Sequence, residues 1–183
     1  MENCEIKNIE SEEFIHNIDF EYIVTYSLLR GAKYENEYKS LKKEFNTLSA
    51  KNKRQRTEPN EITRLKEIEQ LVGFTQYLTN SKGKFHFSAE KIILIDKREV
   101  RINELKKILS KKVVNKTDWM CTPIYRDAIV FYNLKNEIVK ILNICFSCEH
   151  METENKMYVD ADTKTYEELK IFLLKIGHKI EKQ

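Results

Sequence analysis

Ala128-Ile129-Val130-Phe131-Tyr132-Asn133-Leu134-Lys135-Asn136-Glu137-Ile138-Val139-Lys140-Ile141-Leu142-Asn143-Ile144-Cys145-Phe146 is the stretch that decides the fold. Its two flanks are rich in β-branched and aromatic residues, which suit a pleated, buried surface. Between them, Asn133-Leu134-Lys135-Asn136 places an asparagine where a tight hairpin needs a left-handed residue. The pattern predicts two antiparallel strands, Ala128–Tyr132 and Ile138–Phe146. Both faces of the second strand are largely apolar, so it belongs in the middle of a sheet that is covered on two sides.

Working outward, Thr165-Tyr166-Glu167-Glu168 fits a capping box. Tyr166, Leu169, Phe172, Leu173 and Ile176 give the following helix an apolar face, and Gly177 supplies its stop. A short strand is expected at Met157–Val159. Phe85 and Phe87, Ile92 to Ile95, and Val100 with Ile102 read as further strands, and Asn103 to Leu109 as a short helix.

The first half reads as helical. Tyr22, Ile23, Tyr26, Leu28 and Leu29 suggest a buried helix ending at Gly31. Tyr34, Tyr38, Leu41, Phe45 and Leu48 fall on one face of a second. Thr57-Glu58-Pro59 opens a third, with Ile62, Leu65, Ile68, Leu71, Val72 and Leu78 as its stripe. Two such helices joined by a short loop pack as an antiparallel hairpin, and the free face of the sheet is the surface they would cover. Asn80-Ser81-Lys82-Gly83 is the clearest turn. The expected architecture is therefore α+β: a helical region over 1–83 and a region over 84–183 built on a small, mainly antiparallel sheet, the two forming one compact unit. The helical hairpin packs on that sheet, and an amphipathic helix ends the chain.

The 183 residues, 41% of them hydrophobic, suffice for one real core. A net charge of +3 argues against a globally basic nucleic-acid binder. Charge is nevertheless segregated: residues 1–48 hold 6 Lys and Arg against 10 Asp and Glu, whereas residues 84–117 hold 10 against 4. No apolar run approaches the roughly 20 residues of a membrane span. The start Met1-Glu2-Asn3-Cys4-Glu5-Ile6 lacks the apolar region of a signal peptide, so a cytoplasmic protein with reduced thiols is expected.

Chemistry has few candidates. Only four glycines are present and none forms a phosphate-cradling loop. Glu5–Lys7 and Glu37–Lys39 are Glu-x-Lys pairs without a strand to present them as a nuclease would. Tyr125-Arg126-Asp127 reads as a structural ion pair at a strand start, and His16, His86 and His178 stand alone. The remaining constellation is Cys121, Cys145, Cys148 and His150. If the hairpin pairing continues outward from Asn133 opposite Glu137, Cys121 comes to lie diagonal to Cys148 and His150. Those two, spaced by two, point to one face, as a shared metal requires. In a straight strand Cys145 points to the other face, and no glycine or proline supplies a turn between it and Cys148. The cysteines therefore suit small buried hydrophobes, a zinc site or a redox pair.

The segment Cys121-Thr-Pro-Ile-Tyr-Arg-Asp-Ala-Ile-Val-Phe-Tyr, with the returning Ile144-Cys-Phe-Ser-Cys, resembles a family of small bacterial proteins of unknown function. Its members share a Cys-x-Pro, a strand ending in Phe-Tyr, a tight turn and a strand ending in Ile-Cys-Phe-x-Cys. The likeness covers Cys121 to Cys148 and extends to the last helix ending in Gly177-His178. It implies the hairpin and a joint role for the three cysteines, and it brings no activity. Asn136 stands where members often have glycine.

Two functions are carried forward from the residues. The first is a non-enzymatic binding or interaction module without a cofactor. Its partner, a protein or possible nucleic acid of acidic character, would meet Lys51, Lys53, Arg54 and Arg56, together with Lys97, Arg98 and Arg101. The second is a metal-binding protein, with zinc, or a thiol-redox protein using Cys121, Cys145, Cys148 and His150.

Overall fold

The structure, a computed structural model, describes residues 8–72, 76–80, 82–116 and 121–180, and of Gln70 the backbone alone. Cys4, the Glu5–Lys7 pair, Gly73, Ser81 and Trp119 lie outside the described residues. The elements are β1 (Asn8–Glu10), α1 (Ser11–His16), β2 (Tyr22–Leu28), α2 (Gly31–Lys53), α3 (Pro59–Leu71), β3 (Ala89–Asp96), α4 (Val100–Leu109), β4 (Asp127–Tyr132), β5 (Ile138–Cys145), β6 (His150–Thr153), β7 (Tyr158–Asp160) and α5 (Thr163–Lys175). The strands form one seven-stranded sheet in the order β1-β7-β6-β5-β4-β2-β3. All neighbours are antiparallel except β1 and β7. The α+β class and the antiparallel sheet are as expected, but the sheet is larger than the small one anticipated.

The central hairpin is β4 and β5, and β5 is the fourth of seven strands. Asn136 takes φ +62°. The turn is tied by the Asn133 side chain, whose Oδ1 accepts from the amides of Lys135 at 2.9 Å and Glu137 at 3.0 Å. Register departs from a straight continuation. Tyr132 pairs with Ile138 but Phe131 pairs with Lys140, so Val139 is an extra residue and every pair beyond it moves by one. Such a bulge reverses which residues share a face.

One face of the sheet carries the main core. Ile129 and Phe131 of β4 and Leu142 and Ile144 of β5 meet Leu105 and Leu109 of α4 and Leu169, Phe172 and Leu173 of α5, all buried. Each such side chain contributes about 1.5–3 kcal/mol. The other face, Ala128, Val130 and Ile141, is covered by Leu78 and Phe85. Thr79 and Phe85 bridge across the predicted turn, and the amide of Leu78 donates to Asn143 Oδ1 at 3.0 Å.

Several expectations are corrected. Residues 22–28 form strand β2 rather than a helix, because β-branched Ile23, Val24 and Thr25 sit between β3 and β4 with both faces filled. Gly31 opens α2 instead of stopping a helix. Val100 and Ile102 belong to α4, and Ile102 turns into the core. α3 starts at Pro59 as expected but ends at Leu71, short of Leu78. α2 and α3 face each other through Arg64 Nε and Glu44 Oε1 at 2.8 Å and Lys51 and Glu61 at 2.6 Å. α5 begins earlier than the capping box suggested. Asp162 is its cap, accepting from the Lys164 amide at 3.0 Å, while Thr165 is buried inside the helix. Asp162 also accepts from the amides of Asn115 at 2.8 Å and Val114 at 3.2 Å. These donors hold its carboxyl below the ordinary aspartate range.

A left-handed residue at 136 yields a direct expectation for stability. Asn136→Val, which forces a β-branched residue into that region, lowers the unfolding free energy by about 1–2 kcal/mol in urea titration. Asn136→Gly leaves it within about 1 kcal/mol, since glycine adopts the conformation freely while losing the bond from Tyr22 Oη.

Candidate functional site: a thiol cluster and a buried carboxylate at one end of the sheet

The chain reverses after Cys145. Residues 146–149 form a turn, with Glu149 at φ +46°, and β6 returns with His150 opposite Cys145. This corrects the expectation that a turn here needs glycine or proline. The reversal carries Cys148 back to the face of Cys145, where both are buried with Tyr125, and Tyr77 packs against them. Cys121 and Cys148 are joined as a disulfide, their Cα atoms 6.3 Å apart, within the usual range for such a bond. Cys121 is exposed, and Cys145 is a free buried thiol whose Sγ lies 3.2 Å from Ser147 Oγ. The sequence reading, through a hairpin extended too far, brought Cys121 to Cys148 and His150 and put Cys145 on the other face; the structure brings the three cysteines together through a second hairpin.

His150 does not join the sulfurs. Its Nδ1 lies 2.9 Å from Tyr125 Oη, and its ring stands edge-on to Tyr158 at 4.7 Å. Among the described residues no group of three or more His, Cys, Asp or Glu side chains is arranged to hold a metal ion. Instead His150 ends a buried chain of hydrogen bonds. Tyr125 Oη donates to Glu152 Oε2, and Tyr77 Oη donates to the same carboxylate at 3.2 Å. With its only proton on Glu152, the Tyr125 oxygen accepts from His150 Nδ1, which fixes that tautomer. Burial drives the Tyr125 and Tyr77 phenols well above their ordinary pKa, and Glu152 adds to both; burial lowers that of His150.

The opposite face of the same sheet end holds a second buried constellation that the sequence reading missed. Asp127, 3% exposed, accepts from Arg30 Nη2 at 2.5 Å and lies 2.7 Å from His178 Nδ1. Ser27 Oγ adds a bond to Asp127 at 3.3 Å, and Arg30 Nη1 donates to the Lys179 carbonyl at 2.5 Å. His178 is placed by the end of α5. The His178 amide donates to the Leu173 carbonyl at 3.0 Å and that of Gly177 to Leu174 at 3.2 Å, with Gly177 at φ +108°. This is the Schellman stop, in which glycine accepts the left-handed turn. His178 therefore does not stand alone, and the partner of Asp127 is Arg30 rather than its neighbour Arg126. Their separation along the chain hid the pairing.

The basic residues fall into two groups. Lys97 pairs with Glu21, Arg98 with Asp96 at 2.8 Å, Arg101 with Glu99, and Lys51 with Glu61. Arg98 holds the Asp96 carboxyl down to about 2. Lys53, Arg54 and Arg56 are exposed at the α2–α3 connection, with no ion pair among the described residues. Elsewhere, Leu71, Tyr77, Phe85, Phe87 and Lys156 line a cleft of about 540 Å³. His86 in its wall accepts from the Ser88 amide through Nδ1 at 3.2 Å, and burial pushes it down to about 4.

Removing one partner of a buried ion pair strands the other. Asp127→Asn leaves the Arg30 guanidinium, 12% exposed, without a counter-charge and lowers the unfolding free energy by about 3–5 kcal/mol. Arg98→Gln, at an exposed pair, leaves the midpoint of the same urea titrations essentially unchanged. No protein-family model, curated protein or solved structure matches this chain.

Proposed function

We propose that the chain is a thiol-redox protein whose working bond is Cys121–Cys148. The observation that carries this reading is the convergence of three cysteines from two separate segments, one of them exposed and two of them buried beside a tyrosine–glutamate network. An incoming thiolate attacks the exposed Cys121 sulfur. A mixed disulfide forms there, the Cys121–Cys148 bond breaks, and its electron pair leaves on Cys148, which takes a proton. A second thiolate then releases Cys121, so the protein gains two electrons and two protons while the thiols become a disulfide. The disulfide departs from the reduced thiols expected of a cytoplasmic protein, and a bond of this kind in such a setting is usually transient, catalytic or sensing.

A second reading, a non-enzymatic interaction module, is favoured by a different observation: Lys53, Arg54 and Arg56 are exposed and form no ion pair among the described residues. In this reading an α2–α3 helical hairpin presents the three cations at its tip to an acidic protein or nucleic acid.

Equilibration in graded glutathione buffers, followed by thiol alkylation and mass spectrometry, separates a working bond from an inert one. The expected reduction potential lies above about −300 mV, in the range of exchangeable disulfides. A potential below that range assigns Cys121–Cys148 to structure alone and removes the redox reading.

A further inference from the structure

We infer that the outward face of α2 docks in the major groove of double-stranded DNA. This rests on the interaction-module reading above and commits it to one partner. Among the elements of the fold α2 packs against α3. Glu44, paired with Arg64 of α3, marks the inner side of α2, and Leu48, one turn on, is buried. At about 3.6 residues per turn, Lys39, Lys42, Lys43, Asn46, Lys53 and Arg54 fall on the opposite side, and every one of them is exposed. Its five cations form no ion pair among the described residues. Lys42 lies over the Tyr38 ring at 5.9 Å, a contact that leaves its charge intact. From Lys39 to Arg56 the chain has seven Lys and Arg against one acid, Glu44, which Arg64 already holds. The acids that bound the stretch are Glu35, one turn before Lys39 on the same face, and Glu58 at the start of α3.

What else lies on this face selects the partner. Between the cations stand Asn46, Thr47 and Ala50, all exposed, and no aromatic or large aliphatic side chain. Protein interfaces draw on aromatic anchors and are poor in lysine, and a helix that lies on a membrane needs an apolar face to bury. Single strands need rings on which bases stack. A duplex backbone asks for cations alone. Their placement suits a groove. Lys42 and Lys53 fall along one edge of the stripe, Lys43 and Arg54 along the other, and the smaller Asn46 and Ala50 along the middle. A helix so built sinks between two strands with cations directed to the phosphates of each, and Asn46 is left to meet a base edge. The major groove of B-form DNA, about 12 Å wide, admits an α-helix, whereas that of an RNA duplex is too narrow. From Lys42 to Lys53 the helix rises about 16 Å, enough to span several phosphates.

Fluorescence anisotropy of the full chain with a labelled DNA duplex of about 20 base pairs, from about 50 mM salt upward, tests the inference. Saturable binding is expected, its log affinity falling against log salt with a slope of about −4 to −5, as contacts from these cations dictate. Lys42→Gln and Lys53→Gln each weaken binding about fivefold and make the slope shallower by about 1. Lys107→Gln, which removes an exposed charge from α4, changes neither. Absence of saturable duplex binding, equal weakening by Lys107→Gln, or tighter binding of an RNA duplex, a single strand or anionic vesicles overturns the inference. Poly-glutamate is titrated alongside. If it binds and the DNA duplex does not, this inference falls and the acidic-partner reading stands; if neither binds, both fall.

Discussion

Antiparallel pairing of β4 with β5, from Asp127 opposite Ile144 to Phe131 opposite Lys140, is the constraint from which the rest of the molecule is hung. These strands are buried on both faces, so a change in their register would move apolar side chains into water and polar ones into the core. The Val139 bulge sets that register. Given it, Ile129 and Phe131 must meet α4 and α5, and Ala128 and Val130 must meet Leu78 and Phe85. The two clusters of chemical interest are consequences of where the pairing stops.

At that end of the sheet the two faces are used differently. Asn143, Cys145, His150 and Glu152 share one face through the β5–β6 register, and there phenols, a carboxylate and an imidazole are joined by hydrogen bonds. Asp127 and Ile144 share the other, where a carboxylate is neutralised by an arginine and closed off by a histidine just beyond α5. Buried ionic groups of this kind contribute little net stability compared with an apolar packing, but breaking one is expensive. The arrangement therefore ties the C-terminal residues and the start of α2 to the same strand end, and the thiols inherit that rigidity.

Much of this was readable from the residues. α2, α3 and α5 follow from patterns of period 3.6, and β4 and β5 from β-branched and aromatic enrichment on either side of a turn, with Asn136 and Gly177 marking the hairpin and the end of α5. β2 was not, because Tyr22 to Leu29 is apolar on both faces, where periodicity is silent; its β-branched Ile23-Val24-Thr25 was the available signal. The proximity of Cys121 to Cys148 was foreseen for an incomplete reason, and that of Cys145 to Cys148 was not. A turn at Glu149 without glycine leaves no mark in the sequence, and a one-residue bulge at Val139 leaves none either. Arg30, Asp127 and His178 lie far apart in sequence and no local pattern joins them. The cations at Lys97, Arg98 and Arg101 looked like a patch in the sequence because their acids, Glu21, Asp96 and Glu99, were not yet known to sit beside them.

The reversal after Cys145 makes Cys148, rather than Cys145, the partner of Cys121. Non-reducing proteolysis of the native protein, with mass spectrometry of the linked peptides after mild oxidation, tests this most directly. The account predicts a peptide pair joining Cys121 to Cys148, with Cys145 recovered as a free thiol only after unfolding. A dominant Cys145–Cys148 or Cys121–Cys145 link would contradict it.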